Sequence, residues 1–163
     1  MKITGKVWKY GDDVNTDVIF PGKYTYTVSD PAEMGQYALE DLDQDFTKNA
    51  KPGDIIVGGK NWGCGSSREQ AVTCIKMRGI GAIIAKGFAR IYYRNALNEG
   101  LPIVVSAEAV DALEKGQEVT IDFDKSEIVT PKGTFSFPPY PDFVKGLIED
   151  GGLIPHVKKS LGL

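Results

Sequence analysis

A chain of 163 residues, 42% hydrophobic and 25% charged, has the length of one domain and the composition of an ordinary globular protein. A formal net charge of -3, with Lys and Arg scattered rather than blocked, excludes nucleic-acid binding through a broad basic face. No stretch approaches the ~20 apolar residues of a membrane-spanning helix and Met1–Lys6 has no apolar secretory core, so the expected compartment is the cytoplasm.

In chain order, Ile3–Tyr10 reads as an opening strand. A polar loop, Gly11–Asp17, leads to the apolar run Val18-Ile19-Phe20, which Pro21-Gly22 stops. After a loop through Thr27, Ser29 or Asp30 reads as a helix N-cap with Pro31 just inside, starting a helix to about Leu42. Short buried strands at 54–58, Ala82–Ala85 and Ile103–Val105 then alternate with helices at 68–77 and 89–98, a pattern of parallel βαβ units. Past a further helix at 107–115 the rhythm changes. Strands at 118–123, 127–130 and 134–137 are joined by tight turns as an antiparallel meander, and helices at 142–149 and 154–161 close the chain. The expected fold is α/β, a single domain over residues 1–163 with a parallel βαβ core and an added antiparallel β layer.

Cysteine and histidine are scarce. Cys64, Cys74 and His156 are the full complement, too few for a structural zinc site or for an iron–sulfur cluster held in the ordinary way. Asp13-x-Asn15-x-Asp17 mimics the start of a calcium loop, but its sixth position is Val18 and its twelfth Tyr24, where that loop needs Gly and Glu.

The segment Asn61-Trp62-Gly63-Cys64-Gly65-Ser66-Ser67-Arg68-Glu69-Gln70 carries the chemistry. It stands where a buried strand gives way to a helix, the place where open α/β sheets bind ligands. Gly63 and Gly65 allow close backbone approach. Ser66 and Ser67 fall near a helix N-terminus, whose unpaired N–H groups favour an anion, and Arg68 adds a guanidinium fork suited to a carboxylate. The competing reading is a capped helix start with a surface arginine. A dinucleotide fingerprint lacks its third glycine, a phosphate loop lacks Gly-Lys-Ser/Thr, and a nucleophile elbow lacks the glycine two residues after its serine.

Gly63-Cys64-Gly65-Ser66-Ser67-Arg68-Glu69 resembles the Gly-Ser-Ser-Arg-Glu motif of the aconitase superfamily's swivelling domain. Gly11–Pro21 resembles that family's N-terminal signature and Gly87–Asn95 its second helix start, in the family's order. A free-standing chain of this length resembles the small subunits of the isopropylmalate dehydratase and homoaconitase group. The resemblance implies a β/β/α swivelling domain like the fourth of aconitase, and a hydro-lyase active only with a large subunit that brings a 4Fe-4S cluster, none being bound by this chain. It implies Ser66 as the catalytic base, with Ser67 and Arg68 binding a substrate carboxylate. It also implies that the loop Tyr24-Thr25-Tyr26 meets the variable end of a small hydroxy-diacid.

Homoaconitase-type enzymes carry an arginine at the position matching Tyr26. Tyrosine faces suit an isopropyl group instead, and the resemblance therefore implies isopropylmalate and a place in leucine biosynthesis. Lys23 keeps homocitrate open as a second substrate, and the alternative for the tyrosines is packing of the loop. Cys64 reads as a small packing residue. Arg90 and Arg94, four apart on one helix face, could reach the active site or hold the domain to its partner; pairing with nearby acids or helix ends is the commoner role of such residues and the reading preferred here. A different class of function, a non-catalytic module that senses a small acid through the same turn, competes with the enzyme reading.

Overall fold

Runs of β-branched residues place four strands side by side in a computed structural model that describes residues 1–163: β1 (Lys2–Lys9), β2 (Ile55–Gly58), β3 (Ala82–Ala85) and β4 (Ile103–Val105). They run parallel, with Trp8 opposite Ile56, Val57 opposite Ile84 and Ile84 opposite Val104. Period-two alternation sends Ile56, Ile83 and Ile103 to one face and Ile55, Ile84 and Val104 to the other. Both faces of β2 and β3 are covered, so those strands read as continuous apolar runs. Each such side chain taken fully out of water contributes about 1.5–3 kcal/mol.

The helices are α1 (Thr16–Ile19), α2 (Pro31–Met34), α3 (Gln44–Asn49), α4 (Gln70–Met77), α5 (Arg90–Asn98), α6 (Ala107–Ala112), α7 (Asp142–Glu149) and α8 (Leu153–Ser160). On the first face, α4 and α5 bury Val72, Ile75, Tyr92 and Ala96 against the strands. On the second, Ala109 and Val110 of α6 fill the core.

The antiparallel strands β5 (Glu118–Asp122), β6 (Glu127–Thr130) and β7 (Gly133–Ser136) extend the same sheet, in the order β4-β3-β2-β1-β5-β6-β7. β1 serves both halves: Val7–Lys9 pair with β2, while Lys2–Lys6 pair with β5. Contacts from α6 reach β3 on one side and β6 and β7 on the other, so the meander curls around that helix.

The region between β1 and β2 departs from expectation. Val18 and Ile19 sit in the single helical turn of α1, capped by the Asn15 side chain accepting from the Val18 N–H at 3.0 Å. Asp30 caps α2 as expected, but the helix ends at Met34 and tightens into a single narrower turn at Gly35–Tyr37. Leu39, wholly buried, stands at φ +58° with its N–H on the Ile19 carbonyl. Burying that leucine outweighs continuing the helix to Leu42. The chain then forms α3, capped by Asp43, a helix with no expected counterpart in the sequence pattern.

A candidate active site before the fourth helix

Beyond β2 the chain crosses the carboxyl end of β3, where Trp62 N–H donates to Gly87 O at 3.0 Å and Ala89 N–H to Trp62 O at 2.9 Å. The loop after β1 lies against it from the other side: Gly63 N–H donates to Val14 O at 2.8 Å and Thr16 N–H to Cys64 O at 2.9 Å. The Thr16 hydroxyl donates to Ser66 O at 2.8 Å. Gly63 has φ +83°, and a Cβ there would fall 2.2 Å from the Tyr92 ring. Only glycine meets both demands.

Helix α4 begins at Gln70, two residues later than expected, and Glu69 provides no side-chain cap. The N–H groups from Gly65 through Gln70 donate to no acceptor in the chain, and neither do the exposed hydroxyls of Ser66 and Ser67. Six consecutive unpaired amides with two free hydroxyls make a receptor for a group rich in oxygen acceptors.

Arg68 faces inward, its side chain only 11% exposed. Nη1 donates to Asp17 Oδ1 and to Phe20 O, both at 2.9 Å, and reaches Thr16 O at 3.3 Å. Nη2 donates to the Thr25 hydroxyl, and the guanidinium lies over the Phe20 ring, 5.7 Å from its centroid. One hydrogen on Nη2 and the Nε hydrogen remain of the five a guanidinium offers. Arg68 therefore ties the loop of α1 to the serine turn and keeps one edge for a ligand.

A cavity of about 190 Å³ opens here, between Thr16, Gly65, Ser66, Ser67 and Arg68 on one wall and the first turn of α5 with Asn95 on the other. Its size suits a small acid better than a cofactor, whose pockets run from about 300 Å³ upward. Arg68 and Arg90 are among the residues that line it and no Asp or Glu is.

The structure thus brings Ser66, Ser67 and Arg68 together and attaches Thr25 to them through Arg68. It does not bring Tyr24 to the cavity. That ring stacks on Tyr37 at 4.1 Å, and its hydroxyl donates to Glu40 Oε1 at 3.0 Å, a bond that with partial burial pushes the phenol up to about 12. Tyr24 packs the loop from beneath, while Tyr26, at the tip, is 96% exposed.

The preferred pairing of Arg90 and Arg94 is not formed: neither side chain makes a hydrogen bond or an ion pair. Arg90 lines the cavity instead. Thr16 and Asn95 are the lining residues that sequence reasoning missed, whereas Arg90 stood there as an alternative. Arg90 had a signal, since it opens a helix just past the end of β3; Asn95 had none.

Asp12, Asp13, Asn15 and Asp17 diverge to Lys60 N, Asn61 Nδ2, Val18 N and Arg68 rather than converging on a cation. Nor do the cysteines form a ligand set for a metal cluster. Burial pushes the Cys74 thiol up, and its Sγ packs 3.6 Å from Ile19 O within the core. No three His, Cys, Asp or Glu side chains meet. A cluster does not fit the residues of this chain.

Residues 13–108 match the aconitase C-terminal domain family. The chain is 51% identical over 159 residues to a protein of Caldanaerobacter subterraneus and 49% identical over 162 to one of Syntrophus aciditrophicus, each named 3-isopropylmalate dehydratase small subunit. The alignments cover 96% and 98% of this chain and 98% of each relative. The crystal structure of a 3-isopropylmalate dehydratase from Methanocaldococcus jannaschii superposes with a TM-score of 0.91 at 44% identity, over 98% of this chain and 95% of that one. An aconitase X of Thermococcus kodakaraensis, at 21% identity and a TM-score of 0.53, shares the fold.

Proposed function

The chain belongs to the aconitase C-terminal domain family and, within it, to the 3-isopropylmalate dehydratase small subunits, and on that premise we propose that it is the serine-bearing half of a cytoplasmic hydro-lyase. With a large subunit that carries a 4Fe-4S cluster, it interconverts 2-isopropylmalate and 3-isopropylmalate in leucine biosynthesis by loss and return of water. One observation carries the reading: the unpaired amides of Gly65, Ser66, Ser67 and Arg68 and two free hydroxyls belong to residues that border a small cavity, with the Arg68 side chain turned inward beside them.

On this chain the chemistry is proton handling and grip. Ser66 takes the proton from the carbon next to the one that loses hydroxide, and returns it when water adds back in the other sense. A serine is a poor base in water. Here its oxyanion would sit among unpaired amides beside a guanidinium, which stabilise negative charge where it develops. Ser67 and the free edge of Arg68 hold a substrate carboxylate. Thr25 holds Arg68 in place, Tyr24 supports the loop, and the exposed Tyr26 meets the isopropyl end.

The loop has no cation to spare for a third carboxylate. Lys23 lies 3.6 Å from Glu40 and 3.8 Å from Asp41 and is compensated by both. This favours isopropylmalate over homocitrate.

The test is anaerobic reconstitution with the large subunit, with turnover of 3-isopropylmalate as the readout. Ser66→Ala lowers kcat by about 10²- to 10⁴-fold, as removal of a base does. Its melting temperature and assembly stay unchanged, because the hydroxyl has no partner in the chain. Turnover that survives the substitution removes Ser66 as the base.

A further inference from the structure

Helix α5 turns one face to solvent beside the cavity, and nothing in the chain answers it. Arg90, Ile91, Arg94 and Asn98 are exposed, at a spacing that keeps them on one face, while Tyr92, Ala96 and Leu97 are buried on the other. Of the four arginines in the chain, Arg68 and Arg78 donate to backbone carbonyls, whereas Arg90 and Arg94 bond to nothing. Ile91, beside them, is 45% exposed.

Internal stability does not account for this pattern. Arg90 stands at the first position of α5, where the N–H groups of Arg90, Ile91 and Tyr92 donate to nothing in the chain and Ala89 supplies no side-chain cap. A cation at the positive end of a helix dipole is disfavoured, and no acid stands in that first turn to offset it. The face therefore carries uncompensated positive charge on a chain that is net negative as a whole. An exposed isoleucine flanked by free arginines has the make-up of a protein-binding surface, where arginine is enriched and its fork grips a carboxylate with two parallel bonds.

Position selects the partner. Arg90 and Ile91 border the cavity of Ser66, Ser67 and Arg68, and the proposed reaction requires that cavity to open onto the subunit that carries the cluster. A second copy of this chain is a poor occupant, because in a two-fold contact the same patch meets itself and sets guanidinium against guanidinium. Resting on the proposed function, we infer that the exposed face of α5 docks the large subunit, with Ile91 seated in an apolar recess of that subunit and Arg90 and Arg94 paired with Asp or Glu carboxylates beside the recess.

Titration calorimetry of this chain into the cluster-loaded large subunit, anaerobically and without substrate, tests this. The variants are Arg90→Glu, Arg94→Glu and, as a control, Lys132→Glu in the exposed turn between β6 and β7 at the far end of the sheet. Each arginine variant is expected to weaken association by about 10- to 100-fold, as loss of an interface arginine does, and Lys132→Glu to leave it unchanged. Salt at 0.5 M NaCl weakens the unsubstituted complex and narrows its lead over the variants. Alone, the Arg90→Glu chain melts no earlier than the unsubstituted one, since an acid then stands at the helix N-terminus. At saturating concentration Arg94→Glu, which lies outside the cavity, keeps its kcat.

An unchanged dissociation constant in both arginine variants overturns the inference. So does an equal loss from Lys132→Glu, which would mark a general field, or a self-associated form of the isolated chain that Arg94→Glu dissociates while large-subunit binding holds, which would give the face to a second copy. In each of those outcomes the unsubstituted pair still turns over isopropylmalate and the proposed function stands. No turnover by the unsubstituted pair removes both.

Discussion

Replacing Arg68 by Met tests what fastens the α1 loop to the serine turn. The structure offers two candidates: the ion pair with Asp17, and the bond to the Phe20 carbonyl. The Asp17 side chain is 69% exposed, and an ion pair so open to water is worth at most about 1 kcal/mol. Phe20 is wholly buried, and Arg68 Nη1 is the sole donor to its carbonyl. Orphaning a buried acceptor costs about 1–3 kcal/mol. The lost Thr25 bond adds about 1 kcal/mol, and the contact with the Phe20 ring about 0.5–1 kcal/mol. Thr16 O adds nothing, since it keeps the Phe20 N–H at 3.0 Å. The total is about 3–5 kcal/mol. For a chain of this length that lowers Tm by roughly 6–20 °C. Urea unfolding of Arg68→Met, Asp17→Asn and the double variant then separates the candidates. The coupling energy of the cycle is expected to stay below about 1 kcal/mol, and 0.5 M NaCl to change the Arg68→Met loss little. A coupling energy that accounts for most of the loss, or a loss that salt halves, would refute the assignment to the buried carbonyl.

Other outcomes follow from single features. Gly63→Ala forces an alanine to φ +83° with its methyl against the Tyr92 ring. The backbone alone costs about 1–3 kcal/mol, so the variant melts earlier, and because Tyr92 lines the cavity the reconstituted enzyme loses activity as well. Asp150 holds α8 onto the end of α7 through His156 Nδ1 at 2.7 Å and Lys159 Nζ at 3.1 Å. These partners, His156 first, keep its carboxyl below the usual carboxylate range. With the folded value lowered, the clamp is complete above about pH 4 and is lost as pH falls through that lowered value. Amide exchange in α8 should quicken there, and Asp150→Asn should abolish the pH step. A thiol reagent should modify Cys64 in the folded chain at once and Cys74 only on unfolding, since Cys74 is wholly buried with its thiol pushed up.

The sequence announced what local chemistry decides. Ile55–Val57, Ala82–Ala85 and Ile103–Val105 read as buried strands because both of their faces are covered, and the serine turn read as an anion receptor because glycines and hydroxyls meet at a strand end. What stayed hidden depends on partners far along the chain. Arg68 looked like a free fork, yet its acceptors lie 43 to 52 residues away and turn most of it inward. Tyr24 looked like part of a binding loop, but Tyr37 and Glu40 draw it under the loop. The helix expected to reach Leu42 breaks because Leu39 is worth more in the core. Pairing was preferred to an active-site place for Arg90, and only three-dimensional placement shows it on the cavity lining without a partner.

The dual pairing of β1 bears on how the protein is made. This strand emerges from the ribosome before either partner. Its parallel neighbour begins at Ile55 and its antiparallel neighbour at Glu118, so the middle of the sheet is synthesised early and finished late. Until Glu118 has been added, Lys2–Lys6 present open backbone to any passing strand, and closing so wide a loop is slow. Holdases that bind extended backbone should therefore meet this chain at Lys2–Lys6, and pauses in translation before Glu118 should lower the yield of folded subunit.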